Sequence, residues 1–318
     1  MKYHKICIIR DDRLGDTILT LPVIKKLRKT YIDSKITLVI SSISEELVKK
    51  FDFFDNLIIS KNNIETIRNI NQNKFDLILN FSPLKNKFYK LFLKSKTKIH
   101  ISFQSRYNYK NSKSIKIAFL KIFFHKIYCY KRNDLNKLYH QTEFMDNLLV
   151  SEGIYKSEKP DKINLNLGNN LIFDYLIHLS DRWFKSQYKD KDFINLIEIL
   201  IKTNSTICIT TDLSLSDDLK ILIDKIVKNF KLKCFVKPSF ERWINLIDQS
   251  IVIITAESGC SHICGILNKS ALIIYDNQNK PDFIMKEYKP YEIKDLVQIR
   301  TDNGQKLNNK IISSLNQF

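Results

Sequence analysis

The stretch Lys5-Ile6-Cys7-Ile8-Ile9-Arg10-Asp11-Asp12-Arg13-Leu14-Gly15-Asp16-Thr17-Ile18-Leu19-Thr20-Leu21-Pro22 decides how this chain folds. A short unbroken apolar run reads as a strand covered on both faces, the kind found inside parallel sheets. A charged loop follows, then an apolar segment of helical length. Strand, loop and helix in that order open a βα unit. Working outward, the same grammar recurs. Strands are expected at Lys35–Ser41, Asn56–Ser60 and Phe75–Phe81, with helices at Ser44–Phe51 and Ile64–Asn71 between them. It restarts at Leu171–Leu179 and continues through strands Ser205–Thr211, Leu232–Lys237, Ser250–Thr255 and Ala271–Asp276. Between the halves, Tyr155–Gly168 is polar, contains Pro160 and Gly168, and has no clear period, so it reads as a linker. The expected architecture is α/β, with two Rossmann-like doubly wound domains, 1–160 and 161–318, facing each other across a cleft. A final helix is expected in Gly304–Phe318, and its packing partner is open, including a return to the first domain.

The chain has 318 residues, 44% of them hydrophobic and 27% charged, a globular mixture long enough for two domains. No apolar run reaches the eighteen residues that a membrane-spanning helix needs. The apolar run Ile6–Ile9 is too short for the core of a secretory signal, and the six cysteines form neither a CxxC pair nor a dense framework. A reducing cytoplasm is the expected compartment, without a metal or other cofactor.

Three stretches carry chemistry. In the first loop, Gly15 permits a tight turn, and Asp16 falls where a strand hands over to a helix. Asp16 reads either as a carboxylate delivered to the sheet's carboxyl edge or as a helix cap. The flanking Arg10 and Arg13 suit an anionic ligand or plain surface charge. In the second, Glu257-Ser258-Gly259-Cys260-Ser261-His262 precedes a helical pattern. Small residues at a helix start present amide donors and the positive end of the helix dipole to a phosphate. His262 is either a phosphate donor or a neutral core histidine. In the third, Ser180, Arg182 and Lys185 follow the first strand of the second half, where a hydroxyl and two cations would complete a diphosphate pocket. Charge-assisted contacts of that kind are each worth about 1.5–3 kcal/mol.

Together these stretches resemble glycosyltransferase family 9, the ADP-heptose:lipopolysaccharide heptosyltransferases. Arg10 to Pro22 is similar to the family's opening, in which a basic loop ends in Gly-Asp before an apolar helix with an early proline. Glu257 to His262 is similar to its Asp-Ser/Thr-Gly-x-x-His motif, and Ser180 to Lys185 to its middle motif. His140-x-x-Glu143 is a weaker fourth match. The resemblance implies a GT-B fold, with an acceptor-binding first domain and a nucleotide-sugar-binding second domain. It implies Asp16 as the catalytic base, with Arg10, Arg13 and Gly15 near the acceptor. Ser180, Lys185, Ser258, Gly259 and His262 would bind the donor's phosphates, Arg182 and Ser261 would be further donor-binding residues, and Glu257 would lie near its sugar. It further implies an inverting, metal-independent transfer from an ADP-sugar to a lipopolysaccharide core. The chain departs from the family in having Glu257 for Asp and in lacking Trp-Pro after Lys185. A nucleotide-sugar 2-epimerase and a degenerate nucleotide-sugar-binding protein are the alternatives.

The net charge of +18 is uneven: residues 85–137 hold fifteen Lys or Arg against one acid, Asp134, with aromatics interleaved. That composition suits an anionic inner-membrane surface bound peripherally, or a phosphorylated lipid-linked glycan acceptor. Single-stranded nucleic acid is the least favoured partner, and solvated charge on ordinary helices is the plainest reading.

Overall fold

A computed structural model describes residues 3–82, 99–106, 126–131, 135–184, 187–211, 217–230, 232–278 and 280–318; for 99–106 and 126–131 it describes the backbone alone. The chain divides into two compact units, Met1–Asp161 and Lys162–Phe318. Each holds one six-stranded parallel sheet.

In the first unit the strands are β1 (Lys5–Arg10), β2 (Lys35–Ile40), β3 (Asn56–Ile59), β4 (Leu77–Asn80), β5 (Ile99–Arg106) and β6 (Lys126–Lys131). Its helices are α1 (Leu14–Thr30), α2 (Glu45–Val48), α3 (Asn63–Gln72) and α4 (Gln141–Ser151). The sheet order is β3-β2-β1-β4-β5-β6. Ile6, Cys7, Ile8 and Ile9 are all fully buried, because successive residues point to opposite faces and both faces are covered. Cys7 and Ile9 pack with Val39, Ile78 and Ile70, the last from α3. On α1, Lys26 Nζ meets Asp146 Oδ1 of α4 at 2.7 Å, lies 4.2 Å from the centre of the Tyr155 ring and donates to the Glu158 carbonyl. This buried pair clasps the first helix of the unit to its last.

The second unit repeats the plan with β7 (Phe173–Leu179), β8 (Ile207–Thr211), β9 (Lys233–Phe235), β10 (Ser250–Ala256), β11 (Ser270–Tyr275) and β12 (Leu296–Arg300). Its helices are α5 (Asp190–Lys202), α6 (Asp217–Phe230), α7 (Phe240–Asp248), α8 (Gly259–Ile266), α9 (Pro281–Glu287) and α10 (Gly304–Leu315). The order β9-β8-β7-β10-β11-β12 is that of the first sheet, strand for strand. Leu307, Ile311 and Leu315 of the last helix join the core formed by Trp183, Tyr188 and Phe193, and Asn308 donates to the Asp192 carbonyl at 2.7 Å. The last helix therefore packs on the second unit, against the option of a return to the first domain.

Several boundaries differ from the sequence reading. The helix expected at Ser44–Phe51 is a 3-10 turn (Ser42–Ser44) followed by the short α2. Strands β5, β6 and β12 were not expected. Residues 152–172 contain no helix or strand, and Leu165 donates its amide to the Ile266 carbonyl at 2.7 Å. The pair Asp190-x-Asp192 opens α5, where Asp192 accepts the Lys189 amide at 2.8 Å, a local capping bond.

Two predictions follow from packing. A Cβ on Gly304 would stand 1.9 Å from Asp192 Cγ, so Gly304→Ala displaces Asp192 from its cap. The expected loss is about 1 kcal/mol, read by urea unfolding. Both tryptophans, Trp183 and Trp243, lie in the second unit, so their fluorescence reports that unit alone. Burial also pushes up the thiols of Cys7, Cys208 (to about 12) and Cys260, and the Tyr188 and Tyr275 phenols. The folded chain then keeps protons that the unfolded chain releases from pH 9.0 upward for the thiols. Stability is expected to hold below that pH and to fall as pH rises beyond it. A urea midpoint that rises between pH 9 and 10.5 would contradict this account.

Candidate active site

Both sheets reverse their strand order at one place, between β1 and β4 in the first and between β7 and β10 in the second. In open α/β sheets ligands bind outside the carboxyl ends of the strands at such a point. Three of the sequence stretches singled out above lead away from these points: the loop after β1, the turn after β7 and the turn after β10.

After β1, the Arg10 side chain folds inward and is 2% exposed. A buried guanidinium stays charged and must find acceptors for its N–H groups. Nη2 donates to Asp16 Oδ1 at 2.9 Å, Nε donates to the Asp16 carbonyl at 3.2 Å, and Nη1 donates to the Phe81 carbonyl at the end of β4. Asp12 Oδ1 lies 3.3 Å from Nε. Hydroxyls at the ends of the neighbouring strands fix the rest of the loop. Ser82 accepts the Asp11 amide at 2.7 Å, Ser41 donates to the Asp12 carbonyl at 2.7 Å, and Ser60 donates to Asp11 Oδ2 at 3.2 Å.

Asp16 occupies the third position of α1, whose cap is Arg13, and its carboxylate makes no capping bond. It favours the helix dipole by its place in the first turn. One of its oxygens is committed to Arg10; the other has no hydrogen-bond partner among the described residues, and the side chain is partly exposed. Such a carboxylate can accept a proton. Two expectations change here. Arg10, expected near the acceptor, turns into the protein, where Asp12 and Asp16 match its charge. Gly15 makes no turn: it is the second residue of α1, buried, and its φ is not positive; among the glycines only Gly153 and Gly168 have a positive φ. Arg13 remains exposed at the mouth of the loop.

After β7, Ser180 is 2% exposed and its Oγ has no hydrogen-bond partner among the described residues. The 3-10 turn Asp181–Phe184 follows, anchored by Trp183, whose indole donates to the His178 carbonyl at 3.0 Å. Arg182 Nη1 meets Glu257 Oε2 at 2.5 Å and also donates to the Glu257 carbonyl. That pair joins the turns after β7 and β10. Lys185 lies outside the described residues.

After β10, Ser258 caps α8 by accepting the Cys260 amide at 3.2 Å. The Ser261 hydroxyl donates back to the Ser258 carbonyl at 2.7 Å, so it shapes the turn where a ligand contact was expected. Glu257, Ser258 and Gly259 are partly exposed, whereas His262, in the same first turn, is 4% exposed. The leading amides of a helix have no intrahelical acceptor. The arrangement thus offers backbone donors, a dipole and the Ser180 hydroxyl to an anion, with Arg182 already neutralised in part by Glu257.

His140 and Glu143 act locally: His140 Nδ1 accepts the Thr142 amide at 3.3 Å and Glu143 Oε2 accepts the His140 amide at 3.4 Å, a capping box at the start of α4. Sequence reasoning missed Trp243 of α7, whose ring centre is 5.2 Å from that of His178, and the His178–Thr210 hydrogen bond of 3.0 Å. These contacts join residues far apart in the chain and leave no local pattern. The seryl anchors did leave one, since three of the apolar runs end in serine at Ser41, Ser60 and Ser82.

No protein-family model matches the sequence, and no curated protein matches it. Solved structures do. Similarity covers 98% of this chain and 99% of Escherichia coli heptosyltransferase WaaC with ADP, at 12% identity and a TM-score of 0.72. A glycosyl transferase family 9 structure from Veillonella parvula is 17% identical over 98% of this chain and 90% of its own, with a TM-score of 0.69. A putative UDP-N-acetylglucosamine 2-epimerase from Listeria monocytogenes is 13% identical over 100% and 89%, with a TM-score of 0.56. The chain has the GT-B fold of these glycosyltransferases.

Ser258→Ala is expected to lower the stability of the second unit by about 1 kcal/mol, the usual value of a lost cap. Tryptophan-detected urea unfolding measures it; an unchanged midpoint would remove Ser258 from the cap.

Proposed function

We propose that this chain is an inverting glycosyltransferase that moves a heptose or related sugar from an ADP-sugar to the core oligosaccharide of a bacterial lipopolysaccharide or lipooligosaccharide. One observation carries the reading. The carboxylate of Asp16 and the anion-suited turn at Ser258–Gly259 each stand at the strand-order reversal of their own sheet. The fold is shared more fully with the heptosyltransferases than with the epimerases, which favours transfer over epimerisation.

In this reading Asp16 takes the proton of the acceptor hydroxyl as that oxygen attacks the anomeric carbon. The bond from that carbon to the diphosphate breaks, and the nucleoside diphosphate leaves with the bonding electrons. Its growing charge is met by the amides and dipole at the start of α8 and by the Ser180 hydroxyl. Glu257, held by Arg182, hydrogen-bonds the donor sugar. His262 belongs to the same helix start and is almost wholly buried. Lys185 would add a cation there, as the family resemblance implies. The basic segment 85–137 would meet the phosphorylated acceptor or an anionic membrane face, with the protein peripheral to the cytoplasmic membrane.

Incubation with ADP-heptose and a heptose-deficient lipooligosaccharide, followed by mass spectrometry, tests the reading. An added sugar mass is expected. Free epimerised nucleotide sugar would replace it with the 2-epimerase reading, and no product beside tight ADP binding would leave a binding protein. Asp16→Asn is expected to lower kcat by about 10²–10⁴-fold, with ADP affinity unchanged within about twofold. Near-normal turnover would dismiss Asp16 as the base. In liposome flotation, binding is expected only with anionic lipid and is expected to weaken with salt.

A further inference from the structure

We propose that Arg10 is the positioning residue of Asp16, a part distinct from the acceptor contact suggested by its sequence position. The inference rests on the reading of Asp16 as the base, and the clamp itself is visible in the geometry. Arg10 is the last residue of β1, is almost wholly buried, and spends all three of its donor nitrogens inside the first unit. Nη1 is fixed to the carbonyl of Phe81, so the guanidinium plane is tied to the end of β4, across the point where the strand order reverses. Nη2 then holds Asp16 Oδ1 at 2.9 Å while Nε holds the carbonyl of the same residue at 3.2 Å. Thr20 Oγ1 donates to that carbonyl as well, at 2.9 Å, from one turn further along α1.

Asp16 is therefore gripped at both its side chain and its backbone. One of its oxygens is immobilised and the other, Oδ2, is left to accept a proton. A base held in this way starts each cycle already aimed, and a displacement of about 1 Å can cost about 10²-fold in rate. The fork geometry matters, because a lysine ammonium is a point charge on a flexible stem and cannot serve Phe81 and Asp16 in fixed directions. Asp12, 3.3 Å from Nε, supplies a second carboxylate, which keeps the buried guanidinium from resting on Asp16 alone.

The test is a double-mutant cycle on the full chain, with Arg10→Gln, Arg10→Lys, Asp16→Asn and the double variant Arg10→Gln/Asp16→Asn. Arg10→Gln is expected to lower kcat by about 10²-fold while KM for the donor and ADP affinity stay within about twofold. Arg10→Lys, which keeps the cation, guards against simple misfolding. It is expected to melt near the wild type by circular dichroism and still to lose about tenfold in kcat. The double variant is expected to be no slower than Asp16→Asn alone, since a residue that acts only through Asp16 has nothing further to lose. Multiplicative losses, or normal kcat in both single Arg10 variants, would overturn the proposal. Should the wild type transfer no sugar, the functional reading fails while this one is still decided by crystallography. Arg10→Gln is expected to release the Asp16 carboxylate from its wild-type rotamer, and an unmoved carboxylate would refute the clamp.

Discussion

A parallel sheet whose strand order reverses must part its loops at the reversal. In strand order β1 is followed by β2 on one side of the reversal and β4 by β5 on the other, so the chain leaves β1 and β4 toward opposite edges of the sheet. The same holds between β7 and β10. The central strands are sealed on both faces by apolar side chains, which leaves polar groups only at the strand ends. Among the described residues, the polar groups of the candidate site gather in the loops after β1, β7 and β10.

That arrangement forces charge into a dry place. The end of β1 brings Arg10 into the interior, where an unpaired cation would be prohibitive. Two carboxylates and two main-chain carbonyls meet it. Removing the guanidinium alone would leave those carboxylates and carbonyls, buried or partly buried, without their donor, so Arg10 both supports the fold and orients Asp16. The clasp of Lys26 and Asp146 is a different case: it joins two helices of one unit and touches none of the loops at the reversal.

The fold was legible because period and chemistry agree. Unbroken apolar runs such as Ile6–Ile9 and Ile207–Ile209 admit few readings other than buried parallel strands, and the alternation with helices fixed the class. Strands β5 and β6 were hidden because the basic, aromatic middle masks their pattern, and β12 because Leu296–Arg300 mixes polar and apolar residues at a sheet edge. At the site, sequence located Asp16, Ser180, Glu257 and Ser258 at the strand ends, since loop position follows from strand position. It did not show the inward turn of Arg10, the helical place of Gly15 or the local bond of the Ser261 hydroxyl, which depend on packing and not on local pattern. Arg10 turns inward because Phe81, seventy-one residues away, offers a carbonyl there. No local pattern encodes a contact of that range.

The Arg182–Glu257 pair alters what kind of grip the second sheet offers. With that guanidinium already matched by a carboxylate, the net cation available beside α8 is smaller than a tally of basic residues suggests. What stays is a set of peptide dipoles locked in a helix and a hydroxyl sunk below the surface. Mobile counterions shield long, flexible cationic stems readily, but they reach oriented amides poorly. Recognition built on such fixed partial charges discriminates by the shape and placement of an oxyanion, where a loose cluster of lysines would answer mainly to its total charge.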